Sequence, residues 1–299
     1  MAEALSGAEA LREAIELPQR YRSLWGDAAR RFSRNRTAML GLIVILTLVT
    51  MAVLAPLIQR HDPAFQNYSS LRESPNGEFW LGTDLLGRDQ WSRLVHGARI
   101  SLSVGILTEA VALSIGMTVG LTAALGGRGL DNLMMRLTDV AYAFPDLLML
   151  ILLLSIFGPS FIMIFFAIGL VSWPTLARLI RGQILSLQER DFVLAARAMG
   201  ASRLRIVVTH LLPNTLGPVI VAAVFGIPFA IFAEAALAFI GLGLQPPTPS
   251  WGRLVTDGFS AIRSSPHLVL FSTLAIAITM MSFTFIGDGL RDALDPRSR

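Results

Sequence analysis

Carboxylates inside long apolar stretches are the residues of this sequence whose type and position could do chemistry. Four of them stand out, namely Glu109, Asp139, Asp146 and Glu234. A carboxylate is costly to bury among apolar side chains, so it usually binds a cation, relays protons or lines a water-filled cavity. Glu234 follows Asn214 by about 20 residues, or about 30 Å of helix, which predicts a place near the far membrane boundary. Glu109, Asp139 and Asp146 are therefore candidate residues of a polar pathway.

Asp139 and Asp146 are close in sequence and would share nearly one face of a helix. Pro145 lies between them and would leave a backbone carbonyl for a neighbouring helix or water to satisfy. One interpretation is a helix face that lines a polar cavity. The alternative is that these carboxylates lie near the cytoplasmic interface or pair with arginines. The arginines in question are Arg136, Arg178 and Arg181.

Catalytic, metal-binding and nucleotide-binding chemistry find little support in the residue types. The chain has no cysteine and no lysine, which excludes disulfides, cysteine metal sites and a P-loop, whose lysine holds the phosphates. The four histidines, His61, His96, His210 and His267, are scattered and form no known catalytic motif. A nickel site is conceivable only for His61 and His96. We therefore expect no catalytic residue, metal or cofactor in this chain, and any ATP would be hydrolysed by another protein.

Composition and hydropathy predict a polytopic, all-α membrane protein. Of the 299 residues, 53% are hydrophobic and only 15% are charged, and several apolar runs are long enough to cross about 30 Å of hydrocarbon. The six predicted transmembrane helices cover about 38–58, 101–125, 137–157, 161–180, 215–241 and 268–286. Gly158 and Pro159 leave only a tight turn between the third and fourth helices. Gly116 and Gly120 are spaced for close helix packing, either within this chain or with a partner.

The distribution of arginine predicts the orientation. Of the 25 arginines, 18 fall in segments on the side of the N-terminus and 7 on the other side, so both termini are predicted to be cytoplasmic.

A polar stretch of about 37 residues precedes the first membrane helix, which argues against a secretory signal. Trp25, Phe32 and the arginines at 30, 31, 34 and 36 suit a helix at the headgroup interface, and a positive flank explains them equally. Basic residues form no aromatic-interleaved patch, so nucleic acid is not an expected partner.

Residues 194–214, LAARAMGASRLRIVVTHLLPN, place a polar insert between two apolar runs. Residues 190–199 favour a helix, Gly200 suits the position just after a helix, and Ser202 can cap a second helix that ends at Pro213. The insert therefore predicts helix, corner, helix. Small residues at the corner would let another protein approach closely, and arginines would supply charge to that protein or to lipid headgroups. The alternative is an ordinary basic cytoplasmic loop.

This insert resembles the coupling loop of ATP-binding-cassette importer permeases. That pattern is roughly E-A-A, three residues, Gly, about nine residues, then an apolar residue, any residue and Leu-Pro. The matching positions are Ala195, Ala196, Gly200, Leu212 and Pro213. Leu194 departs from the pattern, because many members carry Glu there. The resemblance implies contact with an ATPase through Ala195, Ala196, Arg197, Gly200, Ala201, Ser202, Arg203 and Pro213.

A second block, LGTDLLGRDQWSRLVHGARISL, follows the first membrane helix. Its signature residues are Gly82, Thr83, Asp84, Gly87, Arg88 and Asp89. The glycines are typical of turns, and Asp84, Arg88 and Asp89 could brace the loop through ion pairs. Together with residues 235–252 and 287–296, this block resembles the C-type permease subunit of dipeptide, oligopeptide and nickel importers. The resemblance extends from about Arg34 to the C-terminus.

The resemblance implies a type I importer permease in a bacterial cell membrane. It implies a cytoplasmic segment (1–37), a transmembrane helix (38–58), an extracytoplasmic loop (59–98), a permease core (99–290) with the coupling loop at 190–213, and a cytoplasmic tail (291–299). Besides membrane lipid, the expected partners are a related permease, two ATPase subunits that carry ATP and Mg²⁺, and an extracytoplasmic binding protein. This chain would form half of a pathway for peptides or similar solutes, and dipeptide, oligopeptide, nickel, glutathione and haem stay open. The alternative is an autonomous secondary transporter or channel, which would be expected to show internal repeats.

Overall fold

The computed structural model describes residues 24–295 as α-helices joined by short turns and by one long loop, residues 59–89. Predictions that concern residues 1–23, the side chain of Trp25 or residues 296–299 lie outside this part of the chain. The first five helices are α1 (Leu24–Arg34), α2 (Arg36–Val53), α3 (Ala55–Ile58), α4 (Gln90–Leu125) and α5 (Gly127–Ala143). The remaining helices are α6 (Asp146–Phe157), α7 (Phe161–Gln188), α8 (Asp191–Ala198), α9 (Arg203–Ile206), α10 (Leu212–Phe239), α11 (Trp251–Phe259) and α12 (Pro266–Leu294).

Five helices of the described chain are long and apolar enough to cross a membrane. They are α2, α4, α7, the continuous stretch from α9 through α10, and α12. The pair α5 and α6 makes a sixth span if the two are counted together. The prediction of an all-α fold with several membrane spans is therefore confirmed.

The third predicted span, 137–157, is not one helix. It is broken between Ala143 and Asp146, and α5 and α6 are bent by 84° relative to each other. Pro145 causes the break, because proline has no amide hydrogen and disfavours the helical conformation of the residue before it. Phe144 accordingly has an extended backbone, with ψ of 134°. The 12 residues of α6 cover only about 18 Å, so α6 alone is too short to cross the hydrocarbon.

The predicted turn between α6 and α7 is confirmed. Gly158 has φ of +80°, a left-handed conformation that glycine adopts at little cost. Ser160 then caps α7, because its hydroxyl accepts a hydrogen bond from the amide of Met163 at 3.2 Å. The two helices form a hairpin whose facing sides meet at Leu154 and Ile164, both fully buried.

The close approach of α4 and α7 depends on Gly116 and Gly120. A Cβ atom on Gly120 would lie 2.7 Å from the carbonyl oxygen of Ala177, and one on Gly116 would lie 2.7 Å from Cβ of Leu176. Small residues allow two membrane helices to pack at backbone distance. The glycine pair is thus used within this chain, which settles one of the two possibilities that the sequence left open.

The first helix, α1, packs against the C-terminal end of α12. Phe32 approaches Gly289, where an added Cβ would lie 3.3 Å from the ring, and Ala28 is buried. Asn35 separates α1 from α2, because its side-chain oxygen accepts hydrogen bonds from the amides of Thr37 and Ala38. The opposite side of α1 is exposed and carries Arg30 and Arg34.

Candidate functional site

The corner between α8 and α9 has the geometry that the sequence predicts. Gly200 follows the end of α8 with φ of +81°, and its amide donates a hydrogen bond to the carbonyl of Arg197 at 3.0 Å. The amide of Ala201 donates to the carbonyl of Ala196 at 3.0 Å. These two bonds form a Schellman motif, which satisfies the last carbonyls of a helix. The corner is therefore a defined structure and not a flexible loop.

The second half of the corner is fixed by a cap. The side chain of Ser202 accepts a hydrogen bond from the amide of Arg205 at 3.4 Å, as Ser202 was predicted to do. Such a cap stabilises a helix by about 1 kcal/mol. Two helices of eight and four residues thus meet at a fixed angle around residues 199–202.

The helix that begins at Arg203 does not end at Pro213, so that prediction is wrong. The chain passes through a π-helical turn, Val207–Leu211, and continues without a break into α10. Within this turn the amide of Leu212 donates to the carbonyl of Val207, five residues back. Pro213 cannot donate a hydrogen bond, and a wider turn is one way to accommodate that loss. The corner is consequently joined directly to a membrane-spanning helix.

The inner side of the corner is anchored in an apolar cluster. The buried members from the corner are Val193, Ala196, Ile206 and Leu211, and those from the membrane helices include Leu176, Ile180, Ile184 and Ala112. Gln188 adds a polar tie, because its amide donates to the carbonyl of Ala124 at 3.3 Å. The corner is therefore attached to the ends of both α4 and α7. Ala196, one of the predicted contact residues, faces this cluster and is not exposed.

The outer side of the corner presents an apolar tip with basic surroundings. Met199 is 82% exposed and Leu204 is 73% exposed, and Phe192 and Leu194 are also exposed. The other exposed residues of the corner are Asp191, Ala195, Arg197, Ala198, Gly200, Ser202, Arg203 and Arg205, with Ala201 half-buried and Pro213 exposed further along. Large exposed apolar side chains rimmed by polar groups mark an interaction surface. The sequence pattern did not identify Met199 and Leu204, because only the fold shows which side of each helix is free.

The long loop is braced by a buried group of charges on the opposite side of the protein from the corner. Nε of Arg88 donates to Oδ2 of Asp84 at 2.7 Å, and Nη2 of Arg88 approaches Oδ2 of Asp257 at 3.3 Å. Arg93, whose side chain is 1% exposed, pairs with both Asp84 and Asp257. The predicted pair of Asp84 and Arg88 is thus present. Arg93 and Asp257 were missed, since nothing in the local sequence relates positions so far apart.

Asp89 has a different role from the one predicted. It does not pair with Arg88 but caps α4, because its Oδ2 accepts a hydrogen bond from the amide of Ser92 at 3.0 Å. Nδ1 of His61 lies 3.8 Å from the same oxygen. An aspartate at this position stabilises the start of a helix. The correction follows from chain direction: Asp89 precedes a helix, and its carboxylate turns toward the free amides of that helix.

The remaining signature residues shape the loop. The hydroxyl of Thr83 donates to the carbonyl of Ser70 at 2.5 Å and accepts from the amide of Glu73 at 2.8 Å. Gly87 has φ of +72° and lies directly against Asn67, so that no Cβ would fit there. Gly82 has φ of +80° and lies against Glu73. These contacts hold residues 67–87 as a compact layer over the start of α4.

The histidines do not assemble a metal site. Nε2 of His96 lies 2.7 Å from the side-chain oxygen of Gln59, and the ring of His61 stacks near Phe79 at 5.0 Å. Among residues 24–295 no three His, Asp or Glu side chains converge closely enough to hold a metal ion. The idea of a nickel site at His61 and His96 has no support in this geometry.

The structure separates the candidate pathway carboxylates. Oδ1 of Asp139 accepts a hydrogen bond from Arg178 at 2.8 Å, which is the ion-pair alternative. Asp146 is exposed at the start of α6, beside the break. Glu109 is 7% exposed and lies so close to Gly226 on α10 that a Cβ there would overlap it. Neither Glu109 nor Asp146 has an ion pair within residues 24–295.

Two further carboxylates, Asp131 and Glu234, have hydrogen-bond partners within the protein. Asp131 forms two hydrogen bonds with Arg181, at 2.5 and 2.6 Å, a pair that the sequence did not single out. Glu234 lies near the end of α10, where it is fully enclosed and accepts a hydrogen bond from the hydroxyl of Ser250 at 2.7 Å. It therefore ties α10 to the start of α11 and does not face the surface.

Two family descriptions match this chain. Residues 116–299 match the binding-protein-dependent transport system inner membrane component. Residues 23–75 match the N-terminal TM domain of oligopeptide transport permease C. The first match includes the corner, and the second includes α1, α2, α3 and part of the long loop.

Relatives align over nearly the whole chain. A dipeptide transport system permease protein of Alkalihalophilus pseudofirmus is 42% identical over 277 residues, which cover 93% of this chain and 91% of the relative. An oligopeptide transport system permease protein of Escherichia coli K12 is 43% identical over 280 residues, 93% of each chain. A glutathione transport system permease protein of Pectobacterium atrosepticum is 38% identical over 277 residues, 92% of each chain.

A solved structure shares the fold. An inward-facing form of the MetNI methionine ABC transporter superposes with a TM-score of 0.58 and 18% sequence identity. The alignment covers 68% of this chain and 96% of that chain. At this identity the likeness concerns the arrangement of helices alone.

Proposed function

We infer the function of this chain from its family, because it belongs to the inner membrane components of binding-protein-dependent transport systems. It is a membrane-spanning permease of an ATP-driven importer. The main structural support for this conclusion is the corner at residues 191–206. It presents an apolar tip outside a fixed helix–turn–helix and is joined without a break to a membrane helix.

We propose that peptides are the substrate. Three relatives that align over more than nine tenths of this chain are named for dipeptides, oligopeptides and glutathione, which are all peptides. The described residues offer no cluster of metal ligands that would favour nickel. In such a system the extracytoplasmic binding protein selects the substrate, and the permease supplies a path.

We propose that the corner docks an ATPase subunit in the cytoplasm. Met199 and Leu204 would enter an apolar groove of that subunit, and the exposed Arg205 would meet acidic groups at its rim. Because the chain contains no lysine, ATP and Mg²⁺ would be bound by the partner. A related permease would form the second half of the path, and a binding protein would dock on the braced long loop and α11.

We propose that Glu109 and Asp146 border the path. Both carboxylates lie within membrane helices without an ion pair in the described residues, whereas Asp139 is held by Arg178. Asp146 stands at the break between α5 and α6, where an interrupted helix leaves backbone groups free to face water or solute. The alternative is that Glu109 does not border the path and only packs against Gly226.

The first experiment is gentle purification of the tagged chain from its native membrane, with mass spectrometry of the proteins that remain bound. We expect a P-loop ATPase and a second permease with several spans. The same preparation, placed in liposomes with its binding protein, should take up labelled dipeptide when ATP is inside. Uptake should stop on ATP depletion and persist when ion gradients are collapsed. A chain that purifies alone and moves solute without ATP would contradict the proposal and favour an autonomous transporter.

A further inference from the structure

A cavity of about 410 Å³ lies between the corner and the ends of α4 and α7. Its apolar lining comes from Leu125, Ile206, Val207 and Leu211. Val207 and Leu211 belong to the π-helical turn, and such turns are frequent at functional sites. The cavity is thus bounded by both the element proposed to dock the ATPase and the membrane helices to which that element is attached.

The charged groups at this cavity all have one sign. Arg197 and Arg203 line it, together with the neutral side chain of Gln188, and none of the lining residues is acidic. Neither guanidinium has a hydrogen bond or an ion pair within residues 24–295. The acidic residues of the corner, Glu189 and Asp191, lie outside the lining. Two free guanidinium groups beside an apolar floor match an anion that carries an apolar body.

We propose that this cavity binds a phosphate group, held by Arg197 and Arg203, and that the group belongs to a phospholipid of the cytoplasmic leaflet or to a soluble phosphate compound. Arginine suits this ligand because its planar fork can donate two parallel hydrogen bonds to phosphate oxygens. The apolar floor favours a ligand with a glycerol or acyl portion. The inference rests on the proposed function in one respect, namely that the corner lies on the cytoplasmic side.

A ligand here would act on coupling. The ligand would contact the corner and the ends of α4 and α7 at the same time. It would therefore favour the position of the corner in which the ligand can touch both. A ligand can shift such an equilibrium only by its difference in affinity for the two positions. Anionic phospholipid would therefore change the amount of transport obtained per ATP hydrolysed, and not the selection of substrate.

The test is native mass spectrometry of the full chain released from nanodiscs made of phosphatidylglycerol or of phosphatidylcholine. We expect one phosphatidylglycerol to stay bound and phosphatidylcholine to be lost. The double variant Arg197→Gln, Arg203→Gln should lower retention at least about tenfold, since two charge-assisted hydrogen-bond donors are removed. The matched control is Arg128→Gln, Arg190→Gln, which removes two exposed arginines outside the cavity and should retain the lipid.

Added inorganic phosphate shows whether the bound phosphate group belongs to a phospholipid or to a soluble compound. If phosphate at millimolar concentration displaces the retained lipid, or protects the unvaried chain against thermal unfolding in phosphatidylcholine but not the double variant, the site is a phosphate site open to soluble ligands. If phosphate has no effect while phosphatidylglycerol stays bound, the lipid is the ligand.

Three results would overturn the inference. One is equal retention of the two lipids without any effect of phosphate, and another is equal loss in the control variant. The third is retention by the isolated chain but not by the chain bound to its ATPase, which would mean that an ATPase side chain fills the cavity. Because binding is measured on the chain itself, failure here leaves ATP-dependent uptake unaffected, and failure of uptake leaves the binding result valid.

Discussion

Gly200 determines the shape of the corner through its backbone and not through a lack of space. No atom lies within 4 Å of the position that a Cβ would take, yet φ is +81°. Residues with a Cβ rarely adopt this conformation, and those branched at Cβ are the least suited to it. A larger side chain would therefore fit at this position, but a residue that cannot adopt the left-handed backbone conformation would not.

We expect Gly200→Val to strain the corner by about 1–2 kcal/mol and to lower ATP-driven uptake severely while the protein still inserts in the membrane. Gly200→Asn is the matched control, because asparagine accepts the left-handed conformation more readily. Uptake and ATP hydrolysis in liposomes measure the effect. Loss of both variants from the membrane would show instead that Gly200 is needed for folding.

At the scale of elements, the charges between the long loop and α11 form one unit. The carboxylate of Asp257 forms ion pairs with Arg88, Arg93 and Arg253, and the distances from its oxygens to the guanidinium nitrogens are 3.3, 3.1 and 2.9 Å. The side chain of Arg93 is almost fully buried. Removing one partner from a buried ion pair leaves an uncompensated charge, which costs about 3–5 kcal/mol. The loop and α11 are therefore expected to move as a single body.

We expect Asp257→Ala to lower the stability of the outer layer by about 3–5 kcal/mol and to expose residues 67–87 to protease. Limited proteolysis and thermal unfolding in detergent are the measurements. Asp288→Ala is the control, because Asp288 is exposed on α12 and should have little effect. Unchanged protease resistance in Asp257→Ala would show that apolar packing alone holds the loop.

For the whole molecule, the proposed orientation places the corner and the long loop on opposite sides of the membrane. The absence of cysteine makes this easy to test, because an introduced thiol has no background. Met199 at the tip of the corner and Glu78 in the long loop are both exposed and serve as reporters.

In cells that express the chain without its ATPase partner, we expect Met199→Cys to react with a membrane-impermeant maleimide only after the membrane is opened, and Glu78→Cys to react while the cells are intact. The reason is that a charged reagent cannot cross the hydrocarbon to a thiol on the far side. Labelling followed by mass detection gives the result. The opposite pattern would reverse the orientation and with it the proposed side of ATPase docking.

The sequence by itself determined the local features. Hydropathy gave the membrane helices, and glycine and serine gave the corner, because a Schellman turn and a cap involve residues only a few positions apart. It did not determine how the third span is broken, since the sequence shows Pro145 but not whether packing will keep the helix continuous.

Only the tertiary structure decided which distant groups meet. Asp257 pairs with Arg88 and Arg93 across more than 160 positions, and the free sides of Met199 and Leu204 depend on which faces of α8 and α9 the membrane helices cover. The arginine-lined cavity likewise exists only because the corner folds back on α4 and α7. Ion pairs, exposure and cavities depend on distances in space, and a single sequence encodes those only through the packing of the whole chain.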